Sequence, residues 1–287
     1  MARTPKEALR NFMACTIFQA VPADVSRGPL LKWPGGKRKL VSFIQHLLPR
    51  AFGRYYEPFF GGGALFFALQ PRIAILSDNN AELIAAYLQV RNHPRDLIRQ
   101  LAKLRNSEKD YYAIRSTIPK FEAARAARII YLTSLAFNGI HRVNLKGEFN
   151  VPYGRKTHLK PCDPEKIMVA SKLFRKATLK CEDFQIAVEG AQRGDLVYLD
   201  PPYTVAHSNN GFLKYNAKIF SWDDQERLAE VAHDLARRGC AVVISNADHP
   251  SIRALYRSFN VFEIERHSVM AASRVFRRSI TECVFYN

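Results

Sequence analysis

The stretch that most limits how this chain folds is Leu196-Val197-Tyr198-Leu199 followed by Asp200-Pro201-Pro202-Tyr203. A short apolar run ending in a carboxylate reads as a parallel strand buried on both faces, with its last residue emerging at the sheet's C-terminal edge. The two prolines have no N–H to donate and cannot continue a central strand, so the chain must turn there. In open α/β sheets that edge is where ligands bind. One tight turn would then present a carboxylate, stiff carbonyl acceptors and the flat ring of Tyr203, the parts needed to hold a planar ring bearing an amine. Taken alone, the same residues are equally a strand that ends in an ordinary turn.

A second block sharpens the expectation. Tyr55-Tyr56-Glu57-Pro58-Phe59-Phe60 runs into Gly61-Gly62-Gly63 and then into apolar Ala64-Leu65-Phe66-Phe67. This is the strand, glycine turn and helix of a nucleotide-binding unit, and its glycines let a ligand approach the backbone. It is not the Gly-x-Gly-x-x-Gly dinucleotide fingerprint, and Glu57 would repel a pyrophosphate. A carboxylate there suits a cation such as an amino acid's ammonium. The next strand, Ile73 to Leu76, leads to Asp78, about 20 positions after Glu57, where an acid at a strand tip reaches ribose hydroxyls. Asp78-Asn79-Asn80 also reads as the cap of a helix over Ala81 to Val90. The two blocks together call for a ligand with an amino-acid part and a nucleoside part but no phosphate, which is the make-up of S-adenosylmethionine.

With 287 residues, 47% of them hydrophobic, the chain suits one large domain or a domain with an insertion. Lys and Arg number 43 against 26 acids, a net +17, so a polyanion is the expected partner and nucleic acid the first candidate. The five cysteines form no Cys-x-x-Cys pair, which indicates neither a zinc site nor a disulfide framework and fits a reducing cytoplasm. No apolar run approaches the roughly 20 residues of a membrane helix. Residues 1–28 read as an extension, too broken in its apolar stretch to serve as a signal peptide. Neither a membrane nor a metal is expected.

Before the first strand, Lys32-Trp33-Pro34-Gly35-Gly36-Lys37 is a loop leading into a helical pattern over Lys39 to Leu48. From about 92 to 176 the character changes to basic, helix-spaced segments. These give way to Phe137-Asn138-Gly139-Ile140-His141-Arg142-Val143-Asn144-Leu145-Lys146-Gly147-Glu148-Phe149-Asn150-Val151-Pro152-Tyr153-Gly154-Arg155. Asn-Gly and Lys-Gly are turn signals. The Arg, His and Asn side chains between them, Asn144 and Asn150 included, are groups that read base edges in a major groove. A β-hairpin or ordered loop entering DNA is expected; a plain connecting hairpin with self-satisfied polar groups is the alternative. The strand–helix pattern resumes at Ala177 to Cys181, where Glu182-Asp183-Phe184 offers a carboxylate and a stacking ring to an adenine. Ser221 caps a helix over Asp223 to Arg238, strands over Ala241 to Ser245 and Val261 to Glu265 flank a helix over Pro250 to Arg257, and a last strand spans Ile280 to Tyr286. The basic loop Arg274 to Arg278 reads as a phosphate contact or a solvated turn. The whole is an α/β chain: a catalytic unit of residues 29–91 and 177–287, with residues 92–176 inserted as a mainly helical recognition unit.

Four blocks in this order, Lys32 to Lys37, Glu57 to Gly63, Phe137 to Arg155 and Asp200 to Tyr203, resemble the Dam-type, D12 class DNA adenine-N6 methyltransferases, and the resemblance runs from Leu30 to Tyr286. It implies a Rossmann-like sheet with helices on both faces, S-adenosylmethionine as methyl donor, double-stranded DNA as substrate, and GATC as target. It implies cofactor contacts from Trp33, Lys37, Glu57, Phe59, Gly61, Gly63, Asp78, Asp183, Phe184 and Asp200. It makes Lys32 a contact to the first guanine, Arg142 and Arg155 base readers with Asn138 beside them, and Phe137 a wedge into the base stack. Some such enzymes belong to restriction–modification systems, so a companion restriction endonuclease is a candidate partner; a monomer is the favoured state of this chain. The loop Thr204 to Phe220 and the Arg274–Arg278 cluster depart from GATC enzymes.

The chemistry follows from the turn. The exocyclic amine of adenine is a poor nucleophile because its lone pair is delocalised. If Asp200 and the Pro201 carbonyl accept its two hydrogens, the nitrogen is drawn toward a pyramidal state that attacks a sulfonium methyl in line. Pro202 stiffens the turn and Tyr203 stacks on the base. Two rivals stand beside this reading: transfer to another amine such as cytosine N4, and a DNA-binding protein without turnover.

Overall fold

A computed structural model of the protein describes residues 28–144, 146–204, 220–267 and 279–287. The N-terminal extension, the loop after Thr204 and the Arg274–Arg278 cluster lie outside the described residues.

Among the described residues seven strands form one sheet: β1 (Tyr55–Glu57), β2 (Ala74–Asp78), β3 (Ala177–Cys181), β4 (Leu196–Leu199), β5 (Ala241–Ala247), β6 (Asn260–His267) and β7 (Ser279–Tyr286), in the order β3-β2-β1-β4-β5-β7-β6. β1 to β5 are parallel, and β7 slots antiparallel between β5 and β6. The chain builds outward from β1 to β3, then returns to place β4 on the other side of β1. The order therefore reverses between β1 and β4, and the crevice beyond their C-terminal ends is the position where such sheets hold ligands.

Side chains alternate along each strand, and both sets are apolar. Tyr55, Leu196, Tyr198, Val243 and Val284 join one buried cluster; Tyr56, Val197, Leu199, Val242, Ile244 and Phe285 join another. That is why the strands read as unbroken apolar runs. The first cluster is covered by α1 (Val41–Leu47), α2 (Ala64–Leu69), α3 (Ala81–Asn92), α4 (Pro94–Ala102), α5 (Glu108–Ser116), α6 (Glu122–Leu135) and α7 (Pro164–Phe174). The second is covered by α8 (Phe184–Ala187), α9 (Trp222–Arg237) and α10 (Pro250–Leu255). The protein has the α/β sheet with helices on both faces that the sequence implies. The inserted helices α4 to α7 share the first cluster with the sheet rather than enclosing a core of their own. No helix among the described residues is long and apolar enough to cross a membrane.

Caps fall where the sequence places them. The Asn80 side chain accepts the Leu83 N–H at the start of α3, and Ser221 and Asp224 form a reciprocal capping box on α9. The 137–155 segment is an ordered loop with short antiparallel pairing. It holds a single turn of tight helix (Phe137–Gly139) and two isolated bridge pairs, Ala136 with Tyr153 and Val143 with Phe149. The shortness of the pairing has a local cause. The Asn144 carbonyl oxygen of the side chain accepts the N–H groups of Lys146 and Glu148, so the backbone turns on a side chain where a ladder would continue.

Candidate active site

Glu57 ends β1 inside the crevice and is 3% exposed. Its carboxylate accepts the Tyr55 hydroxyl at 2.8 Å. Burial pushes its pKa well above the usual carboxylate range; the Tyr55 bond opposes this, and the nearby Asp200 charge adds to it. The chain then turns through glycines that the packing requires. Gly61 and Gly63 lie in the left-handed region, at φ 45° and 65°. A Cβ on Gly63 would lie 2.4 Å from the Phe60 ring, and one on Gly61 would lie 2.9 Å from Trp33 Cδ1. Asp78, at the tip of β2, accepts the Gly61 N–H through Oδ2 and the Asn80 N–H through Oδ1, both at 2.9 Å. The Tyr87 hydroxyl donates to the Gly61 carbonyl at 2.7 Å. Asp78 is thus first a strut that fixes the glycine turn against α3. Each of its oxygens keeps a second lone pair for a ligand hydroxyl. Burial raises its pKa, and the two N–H donors work against that.

Asp200 emerges from β4 next to this turn. The Lys37 ammonium lies 2.7 Å from Asp200 Oδ1 and 4.6 Å from the centroid of the Tyr203 ring, and it donates to the Gly35 carbonyl at 3.0 Å. Lys37 is 6% exposed. Burial lowers its pKa, but the Asp200 and Glu282 carboxylates outweigh this and leave it raised. The structure therefore brings Lys37 from the Trp33–Lys37 loop onto Asp200, a pairing the sequence does not announce. Glu282, in the middle of β7 and buried, is a second carboxylate acting on Lys37 that motif reading did not single out. Its signal was available: an acid inside an otherwise apolar strand. In a chain of net +17, this crevice sets Asp200 and Glu282 near Lys37, and Glu57 feels the charges of Asp200 and Asp78. That excess of acid suits a ligand carrying positive charge.

Toward α8 the crevice is walled by rings. Phe59 stacks on Phe184 at 5.3 Å, Phe220 closes on both, and the Arg227 guanidinium lies 4.2 Å over the Phe184 ring. Asp183 is held by Arg227 through two contacts of 2.8 and 2.9 Å and also caps α8. Burial would raise the Asp183 pKa, but Arg227 and the Gln185 N–H bring it below the usual carboxylate value.

The loop expected to read bases stands beside the Trp33 segment. Lys32, Phe137, Asn138, Arg142 and Arg155 are exposed, while Asn144 and Asn150 are half-buried. Asn138 and Arg155 adopt φ of 53° and 51°, a costly backbone for Arg that the surrounding bonds must hold. Among those bonds, Gly154 donates to the Leu135 carbonyl, and a Cβ there would lie 2.7 Å from the Ala136 oxygen. Arg142 Nε donates to the Asn150 side chain at 2.9 Å, and Asn144 bonds Glu148. So Asn150 orients Arg142, and Asn144 builds the turn. His141, which the sequence groups with the base-reading side chains, is instead buried and stacked on Trp33 at 4.5 Å. Burial lowers its pKa to about 4. It joins the 137–155 loop to the Trp33 loop. No group of residues among those described could hold a metal ion.

Comparison with known proteins fits this geometry. The sequence pattern of the D12 class N6 adenine-specific DNA methyltransferases matches residues 33–270. The chain belongs to that family. It is 41% identical over 269 residues to the Type II methyltransferase M1.LlaDCHI of Lactococcus lactis subsp. cremoris, covering 90% of this chain and 95% of that protein. It is 36% identical over 260 residues to the Type II methyltransferase M.MjaIII of Methanocaldococcus jannaschii, covering 82% and 90%. It is 31% identical over 259 residues to the DNA adenine methylase of Escherichia coli K12, covering 88% and 92%. This D12 class methyltransferase thus carries its motif blocks at the switch point of the sheet, on elements whose packing fixes the two strand ends that bear Glu57 and Asp200.

Proposed function

We propose that the protein transfers a methyl group from S-adenosylmethionine to N6 of an adenine turned out of duplex DNA, within GATC. The observation that carries this reading is the convergence of Asp200, Tyr203 and Lys37 at the end of β4, beside the acid-lined glycine turn of β1. S-adenosylmethionine supplies an electrophilic methyl group on a sulfonium. The residues fit it: Glu57 offers a buried carboxyl that an arriving ammonium would hold ionised, Asp78 offers lone pairs to ribose hydroxyls, and the half-buried Phe59, backed by Phe184, offers a ring to an adenine.

The chain's own work lies on the target base. Tyr203 stacks on the extruded adenine, while Asp200 and the Pro201 carbonyl accept the two N6 hydrogens. The nitrogen lone pair then forms the new N–C bond as the S–C bond breaks and its electron pair stays on sulfur; the surplus N6 proton passes to the Asp200 carboxylate. Lys37, already paired with Asp200, fixes the carboxylate's position, so little reorganisation is needed at the moment of reaction. Extrusion costs a few kcal/mol, which phosphate and base contacts elsewhere offset. Lys32, Arg142 and Arg155 stand exposed on one loop cluster for that purpose, with Asn138 and Phe137 beside them. The GATC assignment rests on the motif resemblance of residues 137–155.

The test is modification-sensitive sequencing of DNA from a methylation-free host that expresses the chain. N6-methyladenine at GATC supports the whole reading. Methyladenine at another motif keeps the reaction and rejects the target. Absence of methylation from folded, expressed protein rejects the activity.

A further inference from the structure

Behind the catalytic turn lies a buried polar chain that the mechanism above does not use. Gln225, in the first turns of α9, and Asn246, near the end of β5, are both fully buried. Gln225 Nε2 donates to the Pro202 carbonyl at 3.2 Å. Asn246 Nδ2 donates to Gln225 Oε1 at 3.1 Å, and Asn246 Oδ1 accepts the Ala247 N–H at 2.8 Å. The two backbone ends dictate the sense of the whole chain. The Ala247 N–H can only donate, so Asn246 must face it with oxygen and turn its NH2 to Gln225. The Pro202 carbonyl can only accept, so Gln225 must face it with its NH2. Both requirements are met by one orientation of each amide.

An amide pair in an apolar interior is costly unless every group is paired, and here each end has its partner. Hydrophobic residues of similar volume would fill the same space. What they would not do is hold the Pro202 carbonyl. Neither proline of the turn has an N–H, so the turn has few backbone bonds by which to be fixed. Pro202's carbonyl is one of the few handles it offers, and Gln225 takes it. With that carbonyl committed to the protein, the Pro201 carbonyl is the one left for the target amine.

We infer that Gln225, held in orientation by Asn246, is a positioning residue for methyl transfer: it clamps the Pro202 carbonyl so that Asp200 and the Pro201 carbonyl stand at a fixed separation for the N6 hydrogens. The inference rests on the proposed adenine-N6 reaction. Displacements of about 1 Å in such constellations cost on the order of a hundredfold in rate.

The test is steady-state kinetics of Gln225→Met and Asn246→Ser with S-adenosylmethionine and a duplex carrying one methylation site, beside the native protein. Gln225→Met keeps the length of the side chain and removes its donor. The expected result is a fall in kcat of at least about tenfold, with KM for DNA and for S-adenosylmethionine within about twofold of native. Asn246→Ser should give a smaller kcat loss in the same pattern, and the double variant should be no worse than Gln225→Met alone. Native kcat in Gln225→Met, or a loss confined to KM, overturns the inference. Failure of both variants to fold overturns it too, because the pair would then serve the fold and not the turn. If the native protein itself does not methylate, it is the reaction assignment that fails, and that outcome is distinct.

Discussion

Lys37 and Asp200 meet at 2.7 Å although they lie on separate elements, one on the loop before α1 and the other at the tip of β4. The pair joins the Trp-Pro-Gly-Gly-Lys loop to the Asp200–Tyr203 turn, so the two motif blocks are in direct contact. Lys37→Met removes the ammonium that lies 2.7 Å from Asp200 Oδ1 and so the contact that holds this carboxylate against the loop. The expected result is a fall in kcat of about tenfold to a hundredfold, together with a lower thermal midpoint, measured by single-turnover methylation and calorimetry. Native turnover would show that the pair has no catalytic part.

Asp200→Ala removes the acceptor itself. Turnover should fall by roughly three orders of magnitude, while affinity for DNA and for S-adenosylmethionine stays within severalfold. Filter-binding and methyl-transfer measurements on the same preparation separate the two. Native turnover in this variant would remove Asp200 from the reaction.

His141 makes acid stability measurable. It is buried and its pKa is lowered from 6.5 to about 4. The folded state therefore resists the proton that the unfolded state accepts. Its neutral form contributes fully above pH 6.5, and that contribution is lost as pH falls toward 4, up to roughly 3 kcal/mol. His141→Phe keeps a ring against Trp33 and removes the titration. Denaturant titrations between pH 4 and 7 should show a flatter stability profile in the variant, and identical slopes would discard the assignment.

How much of this could be read from the chain alone differs by level. The sheet was legible because β4 and β5 repeat apolar residues on both faces, and the glycine turn because Gly61 and Gly63 need backbone angles other residues resist. The ends of α3 and α9 were legible from Asn80 and Ser221, whose caps are local. What could not be read is which distant polar groups meet. Lys37 with Asp200, Asp183 with Arg227, and Gln225 with Pro202 are set by how β4, α8 and α9 pack, not by spacing. The Asn-Gly and Lys-Gly signals gave the turns of residues 137–155. They did not show that Asn144 and Asn150 spend their side chains on the loop itself, or that His141 points inward.

A pH dependence of DNA binding is predicted at Lys156. Its ammonium donates to the Ala136 carbonyl at 2.7 Å, and burial and then the neighbouring Lys32 lower its pKa to about 8. A phosphate arriving beside Lys32 would favour the charged form, so binding should take up a proton near pH 8. DNA affinity should decline as pH rises from 7 to 9, and Lys156→Met should lose most of that dependence and reduce the salt slope by about one. Fluorescence anisotropy with a labelled duplex across pH and salt measures both, and an unchanged pH dependence in the variant would refute the linkage.

Arg142 and Asn150 offer a test of how the target is read. Arg142 Nε is held by Asn150, which leaves the guanidinium's outer N–H groups to face a base edge as a fixed fork. Arg142→Ala should cost about 1–3 kcal/mol of discrimination at one base pair, seen as rising methylation of near-cognate sites relative to the cognate one. Asn150→Ala leaves the guanidinium in place but frees it to rotate, so it should relax the same base pair by a smaller amount and add little to Arg142→Ala in the double variant. A competition assay over all single-substitution duplexes gives both numbers. If Asn150→Ala relaxes a different base pair, Asn150 touches DNA itself. If neither variant changes the ranking of sites, the reading falls to Arg155, whose left-handed backbone would then be the feature that aims a guanidinium at the groove.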